Sequence, residues 1–109
     1  VLNKESDFNM AFELFVNDLE QSLKIIWDKY RANPTLGNWI NSANPNFSYI
    51  VEEKAKQLSN TYGTNGDWVS VWMDQVRLVA RNQEGTERPG TYYEVMEVVS
   101  AWKYYLPES

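Results

Sequence analysis

The chain has 109 residues, a formal charge of −5, and neither cysteine nor histidine. At this length it forms one domain, residues 1–109, with a single core. The missing residue types exclude disulfides, thiolate and histidine-activated nucleophiles and nearly all transition-metal sites, so no catalytic centre, metal or cofactor is expected.

The first element read from the sequence is a long helix, Asp7–Arg31, capped by Ser6 or Asp7. Its seam runs Phe8, Phe12, Phe15, Leu19, Leu23, Ile26, Tyr30, an alternation of three and four that fits a bundle. Leu14, Ile25 and Trp27 lie off that seam and either widen the buried face or mark a contact with another protein. Lys24, Asp28 and Arg31 share one flank and read as a solvated ion-pair row. Asn33-Pro34 ends the helix, because a residue before proline resists the α conformation.

A short helix around Leu36, Trp39 and Ile40 is expected within residues 35–43. The next helix starts near Asn46 and turns Phe47, Ile50, Val51, Ala55, Leu58 and Tyr62 inward, with Glu52, Glu53, Lys54, Lys56 and Gln57 outside. Gly63 is its natural C′ residue, and Thr64-Asn65-Gly66 is a turn leading to Asp67 as cap of the third helix.

That third helix, Asp67–Asn82, is the expected centre of the fold. Val69, Trp72, Met73, Val76, Val79 and Ala80 form one apolar face, while Trp68, Val71 and Leu78 fall on the opposite side. Only Ser70, Asp74, Arg77 and Arg81 make a polar strip. Trp39, Trp68 and Trp102 read as core, with part of the remaining aromatic content on the surface. A loop over 84–90 precedes the last helix, which opens on the capping-box spacing Thr91-Tyr92-Tyr93-Glu94 and buries Val95, Val98, Val99, Trp102, Tyr105 and Leu106. The fold class is therefore all-α: a compact antiparallel bundle of four main helices plus one short helix.

Few residues point to chemistry. Solvated helix faces account for the paired carboxylates Glu52-Glu53 and Glu94 with Glu97. The stretch from Gly63 to Asp67 lacks the lysine and glycine spacing of a phosphate cradle. No run of about 18 apolar residues is present, so no membrane partner is expected, and the absence of cysteine makes a reducing cytoplasm the simplest compartment. Arg77 and Arg81 have two readings: ion pairs with Asp74 across helix turns, or, with Arg88 in the following loop, a track for a phosphate backbone or an acidic protein. Lys54 and Lys56 are the next candidates for the same role.

Charge is unevenly spread. Residues 1–20 carry Glu5, Asp7, Glu13, Asp18 and Glu20 against Lys4 alone, whereas 21–88 are slightly basic. So acidic a chain does not bind nucleic acid tightly by itself.

In its whole-chain pattern the sequence resembles the small, all-helical subunits of Cascade-type CRISPR effector complexes. The likeness lies in the long Asp7–Arg31 helix, the Asp67–Asn82 helix carrying Arg77 and Arg81, and the closing TYYEVMEVVSAWKYYL helix. The resemblance implies a non-catalytic protein that assembles in several copies with other subunits and itself, and helps hold guide–target duplex or displaced strand. Arg77, Arg81, Arg88, Lys54 and Lys56 would then be its phosphate contacts. The competing expectation is an acidic helical inhibitor, of the phage anti-defence or toxin-immunity kind, that occupies a basic site with Glu5, Asp7, Glu13, Asp18 and Glu20.

Overall fold

A computed structural model describes residues 4–63, 65–82 and 89–107, with Lys4, Glu5 and Asn82 described by backbone only. The chain folds as the expected all-α bundle: α1 (Lys4–Ala32), α2 (Phe47–Thr61), α3 (Trp68–Val79) and α4 (Tyr92–Ser100). α1 and α3 both pack along α2 and α4 and meet each other through aromatic side chains.

The first helix begins before Ser6, so neither Ser6 nor Asp7 caps it. Its buried seam is Phe8, Phe12, Val16, Leu19, Leu23, Ile26 and Tyr30. Val16 thus takes the place expected for Phe15, whose ring sits half-buried beside Phe12 at 5.3 Å. Position 15 lies at the edge of the face that the other six define, where a large ring still gains contact. Trp27 widens the buried face, 4.9 Å from Trp39 and stacked on Tyr30 at 5.5 Å, whereas Leu14 and Ile25 point outward. Lys24 pairs with Asp28 at 3.2 Å as the spacing predicts.

An aromatic centre joins the helices. The Phe12 ring lies 4.5 Å from Trp102, 5.2 Å from Trp68 and 5.6 Å from Trp72. Trp72 has no exposed surface, and its indole donates to the Val98 carbonyl at 3.0 Å. Four of the five tryptophans are buried and the fifth is half-buried, so the exposed aromatic rings are tyrosines: Tyr49, Tyr93 and Tyr104.

Three expectations for the middle of the chain need correction. The short helix over 35–43 is a single 3-10 turn, Trp39–Asn41, preceded by a two-residue strand β1 (Gly37–Asn38), and Leu36 is exposed. In place of a helix reaching Asn82, α3 ends at Val79, and β2 (Arg81–Asn82) pairs antiparallel with β1. The Ala80 carbonyl takes the Trp39 amide at 3.3 Å, giving the chain there a partner outside the helix. Nor is α3 enclosed on all sides: Trp68 is buried, but Val71 and Leu78 are 56% and 59% exposed.

Turn chemistry is partly as expected. Gly63 has φ +79°, the left-handed conformation that suits glycine after a helix. Asp67 stands at the N-cap of α3 but its side chain caps nothing, because the Gly66 and Asp67 carbonyls already accept the Val69 and Ser70 amides. Instead its own amide donates to Asn65 Oδ1 at 2.9 Å. Thr91 and Glu94 form the expected capping box of α4. After Ser100 the chain tightens into a 3-10 turn, Trp102–Tyr105, in place of further α-helix. Met96 is buried, while Val98, Tyr105 and Leu106 are half-buried. Of the loop over 84–90, only Pro89 and Gly90 lie within the described residues.

Among the described residues no helix is long and apolar enough to cross a membrane.

Candidate functional site

The polar strip of α3 meets a polar row on α2 with the spacing i, i+4, i+8: Ser48, Glu52 and Lys56. Arg77 Nη2 lies 2.5 Å from Glu52 Oε1, its Nη1 lies 2.9 Å from Asp74 Oδ1, and its Nε donates to Ser48 Oγ at 3.2 Å. Lys56 Nζ reaches the other Glu52 oxygen at 3.2 Å. Asn41 completes the network: its Nδ2 donates to Ser48 Oγ at 3.2 Å, and its Oδ1 accepts the Ser48 amide at 2.9 Å. Ser48 is fully buried, and the Glu52 side chain is only 13% exposed. Glu52 and Lys56 are therefore not the solvated outer residues that the helix pattern suggests. Ile50, read as inward, is exposed instead.

Burial pushes the Glu52 carboxyl up, but hydrogen bonds from Arg77 and Lys56 and their two charges outweigh it. The pKa ends below its ordinary 4.5. A depressed carboxyl stabilises the fold above its ordinary pKa and ceases to do so as pH falls through the lowered value. We expect Glu52→Gln to narrow the loss of stability below pH 4.5 and to change stability little in shape between pH 6 and 8, as read by urea unfolding at each pH. Loss of acid sensitivity on Asp74→Asn instead would contradict this.

The two ion pairs of Arg77 differ in weight. Asp74 is 72% exposed, so its pair contributes within about 0.5 kcal/mol, whereas Glu52→Ala removes a half-enclosed charged hydrogen bond contributing about 1.5–3 kcal/mol. A double-mutant cycle in urea should give a larger coupling for Arg77 with Glu52 than with Asp74. Equal couplings would count against the geometry.

Beside this network lies an open cleft of about 440 Å³, lined by Asn38, Tyr49, Arg77, Leu78 and Arg81 among others. The Arg77 guanidinium carbon sits 5.1 Å from the centre of the Tyr49 ring. Arg81 is exposed, on β2 and no longer on the helix of Arg77, yet both line the same cleft. Of the other sequence candidates, Lys56 joins through Glu52. Lys54 is exposed about 160° around α2 from Lys56 and does not line the cleft. Arg88 lies outside the described residues. The proposed phosphate track thus divides: Arg77 is held by carboxylates, Arg81 faces the cleft, and Lys54 stands apart.

Sequence reasoning missed Ser48, Tyr49, Glu52 and Asn41. A signal existed for two of them, since Ser48, Glu52 and Lys56 line up along one edge of the apolar face of α2, complementary in polarity to the strip on α3. Among the described residues no cluster of acidic residues is arranged to hold a metal ion.

No protein-family model, curated protein or solved structure matches this chain.

Proposed function

We propose that this chain is a non-catalytic small subunit of a Cascade-type CRISPR effector complex. In this reading it docks on other subunits and on copies of itself in the cytoplasm, and adds modest backbone contacts to the nucleic acid held there. The observation that supports it is the outer face of α1. Met10, Leu14, Asn17, Gln21 and Ile25 recur at four, three, four and four along the side of α1 opposite its buried seam, all exposed and none charged. Met10, Leu14 and Ile25 are 65%, 66% and 58% exposed. Single exposed apolar residues need no explanation, but an aligned uncharged stripe along a helix is the form of a docking face. Multiple copies in one assembly make weak contacts by each copy sufficient.

The nucleic-acid side of the proposal rests on Arg81 and Lys54, both exposed. Replacing both Arg81 and Lys54 by alanine should weaken target binding by the assembled complex equally for all sequences, and lower the salt slope by about 0.9 for each duplex phosphate no longer neutralised. Salt-titrated binding of complex assembled with and without this chain is the test. Identical affinity and slope in the two preparations would overturn the reading.

One observation favours the inhibitor reading. Asp7, Glu13, Asp18 and Glu20 are all exposed, with no basic residue between Asp7 and Glu20, although Glu13 is met by Lys103 at 3.3 Å. The Glu5 side chain lies outside the described residues. On that reading, reversing Asp7, Asp18 and Glu20 to lysine slows association with a basic target at low salt and leaves the Arg81 and Lys54 variants unaffected.

A further inference from the structure

The uncharged stripe on the outer face of α1 has a charged frame. Met10, Leu14, Asn17, Gln21 and Ile25 cover about 80° of the helix circumference and run along it for about 22 Å. Glu13 and Glu20 border the stripe on one side and Asp18 on the other, while Asp7 stands in line with it one turn before Met10. No basic residue occurs between Asp7 and Glu20. All four carboxylates are exposed. Asp7, Asp18 and Glu20 form no ion pair among the described residues, and Glu13 meets Lys103 at 3.3 Å, where both side chains are more than half exposed. Past Glu20 the frame changes, since Lys24 is matched by Asp28 at 3.2 Å and is followed by Lys29 and Arg31. The acidic border thus runs along most of the stripe and stops before its C-terminal end.

We propose that this face takes a basic amphipathic helix of another subunit, its apolar ridge on Met10, Leu14 and Ile25 and its lysines or arginines on Glu13, Asp18 and Glu20. The inference rests on the reading that the outer face of α1 docks on other subunits, and it names what docks there. A helix is the form that matches, because the stripe recurs at four, three, four and four residues, the spacing that meets the ridges of a second helix. The sign follows from the frame, since charges beside an apolar seam choose the partner. A second copy of the chain does not fit this face. With two stripes centred on each other and antiparallel, Asp18 and Glu20 lie at the middle and meet their own counterparts; in the parallel arrangement the whole acidic half lies beside itself. Carboxylate faces carboxylate either way, which disfavours the pairing, so copies of the chain meet through other surfaces. Asn17 and Gln21 interrupt the ridge at its middle, where a polar seam residue fixes register at some cost in strength. An unstructured basic segment would satisfy the carboxylates but leave Met10, Leu14 and Ile25 in water.

The test is an amide nuclear magnetic resonance titration of the full chain with synthetic helical peptides of about three heptads. The first peptide carries leucines on its seam, a central asparagine and flanking lysines. The second has glutamates in place of the lysines, and the third is the first with its sequence scrambled. The lysine-flanked helix should shift the Leu14, Asn17, Gln21 and Ile25 amides to saturation. Both controls should bind at least about 10-fold more weakly, the second for its sign and the third for its lost ridge. Leu14→Glu/Ile25→Glu should remove binding of the first peptide, and Asp18→Lys/Glu20→Lys should turn the preference to the glutamate-flanked one. Equal binding of either control, shifts confined to other surfaces, or no saturation would each overturn the proposal. So would a dimer of the unaltered chain in sedimentation that Leu14→Glu/Ile25→Glu dissolves. The peptide comparison uses the unaltered protein, so it decides even where a variant fails to fold. Failure here, with the unaltered chain entering an assembled complex and the Leu14→Glu/Ile25→Glu variant left out, would overturn the basic helix alone; failure of both would overturn docking through α1.

Discussion

Replacing Trp72 by alanine is expected to lower the unfolding free energy by about 3–5 kcal/mol, a large fraction of the roughly 5–15 kcal/mol of a typical domain. The side chain has no exposed surface, lies 5.6 Å from Phe12 and 5.7 Å from Trp68, and sends its indole N–H to the Val98 carbonyl on α4. Truncation therefore opens a cavity at the meeting point of α1, α3 and α4 and removes the indole hydrogen bond to the Val98 carbonyl, which keeps the Ala101 amide at 3.1 Å. Urea unfolding followed by circular dichroism reads the effect. Trp72→Phe should recover part of the packing but not the hydrogen bond, so its midpoint should fall between the two. A Trp72→Ala protein with an unchanged midpoint would show that this residue is not at the centre of the fold.

Gly90→Ala should also be costly, for a different reason. A methyl group on Gly90 would overlap the backbone carbonyl and a side-chain methyl of Val79, and lie 2.9 Å from Glu94 Oε2. The Gly90 amide donates to that same Val79 carbonyl at 2.7 Å, and the Gly90 carbonyl accepts the buried Trp39 indole at 2.9 Å. Backbone cannot swing aside as a flexible side chain can, so the segment must pull away and both hydrogen bonds lengthen. The expected loss is about 2–3 kcal/mol, from overpacking plus a weakened buried hydrogen bond. Thermal melting of the variant checks it, and the disturbance should appear as a change in Trp39 fluorescence. An unaltered melting temperature would mean that the close approach of Gly90 to Val79 is absent in solution.

These two residues also mark what the sequence reveals and what it conceals. Periodicity places Trp72, Val76 and most of the α1 seam correctly, because burial against any neighbour produces the same spacing. Local chemistry places Gly63 and the Thr91–Glu94 capping box, which depend only on nearby backbone. Gly90 carries no comparable signal. Its constraint comes from Val79 and Trp39, neither a near neighbour in sequence and the second at a chain separation of 51 residues. The same holds for the end of α3: helix propensity continues through Arg81, but β1 offers the backbone a competing partner that only the tertiary fold brings near.

The candidate site divides along the same line. Arg77 stands out correctly as an arginine on an otherwise apolar helix, and its Asp74 pair is readable from the i, i+3 spacing. Its stronger partner, Glu52, is 25 residues away on another helix, and α2 by itself presents Glu52 as one of several outer charges. Tyr49 is silent for the opposite reason: an exposed tyrosine has no local pattern, and it acquires meaning only beside Arg77 and Arg81.

Docking through the outer face of α1 is the central claim, and the native mass of a reconstituted complex tests it most directly. The chain is mixed with the large and backbone subunits of a cognate Cascade-type complex and compared with Leu14→Glu/Ile25→Glu, whose positions are exposed, so that circular dichroism should report an unchanged fold. The account predicts several copies of the unaltered chain in the assembled particle, and few or none of the folded variant. Incorporation of both proteins in equal number, or of neither, would contradict it.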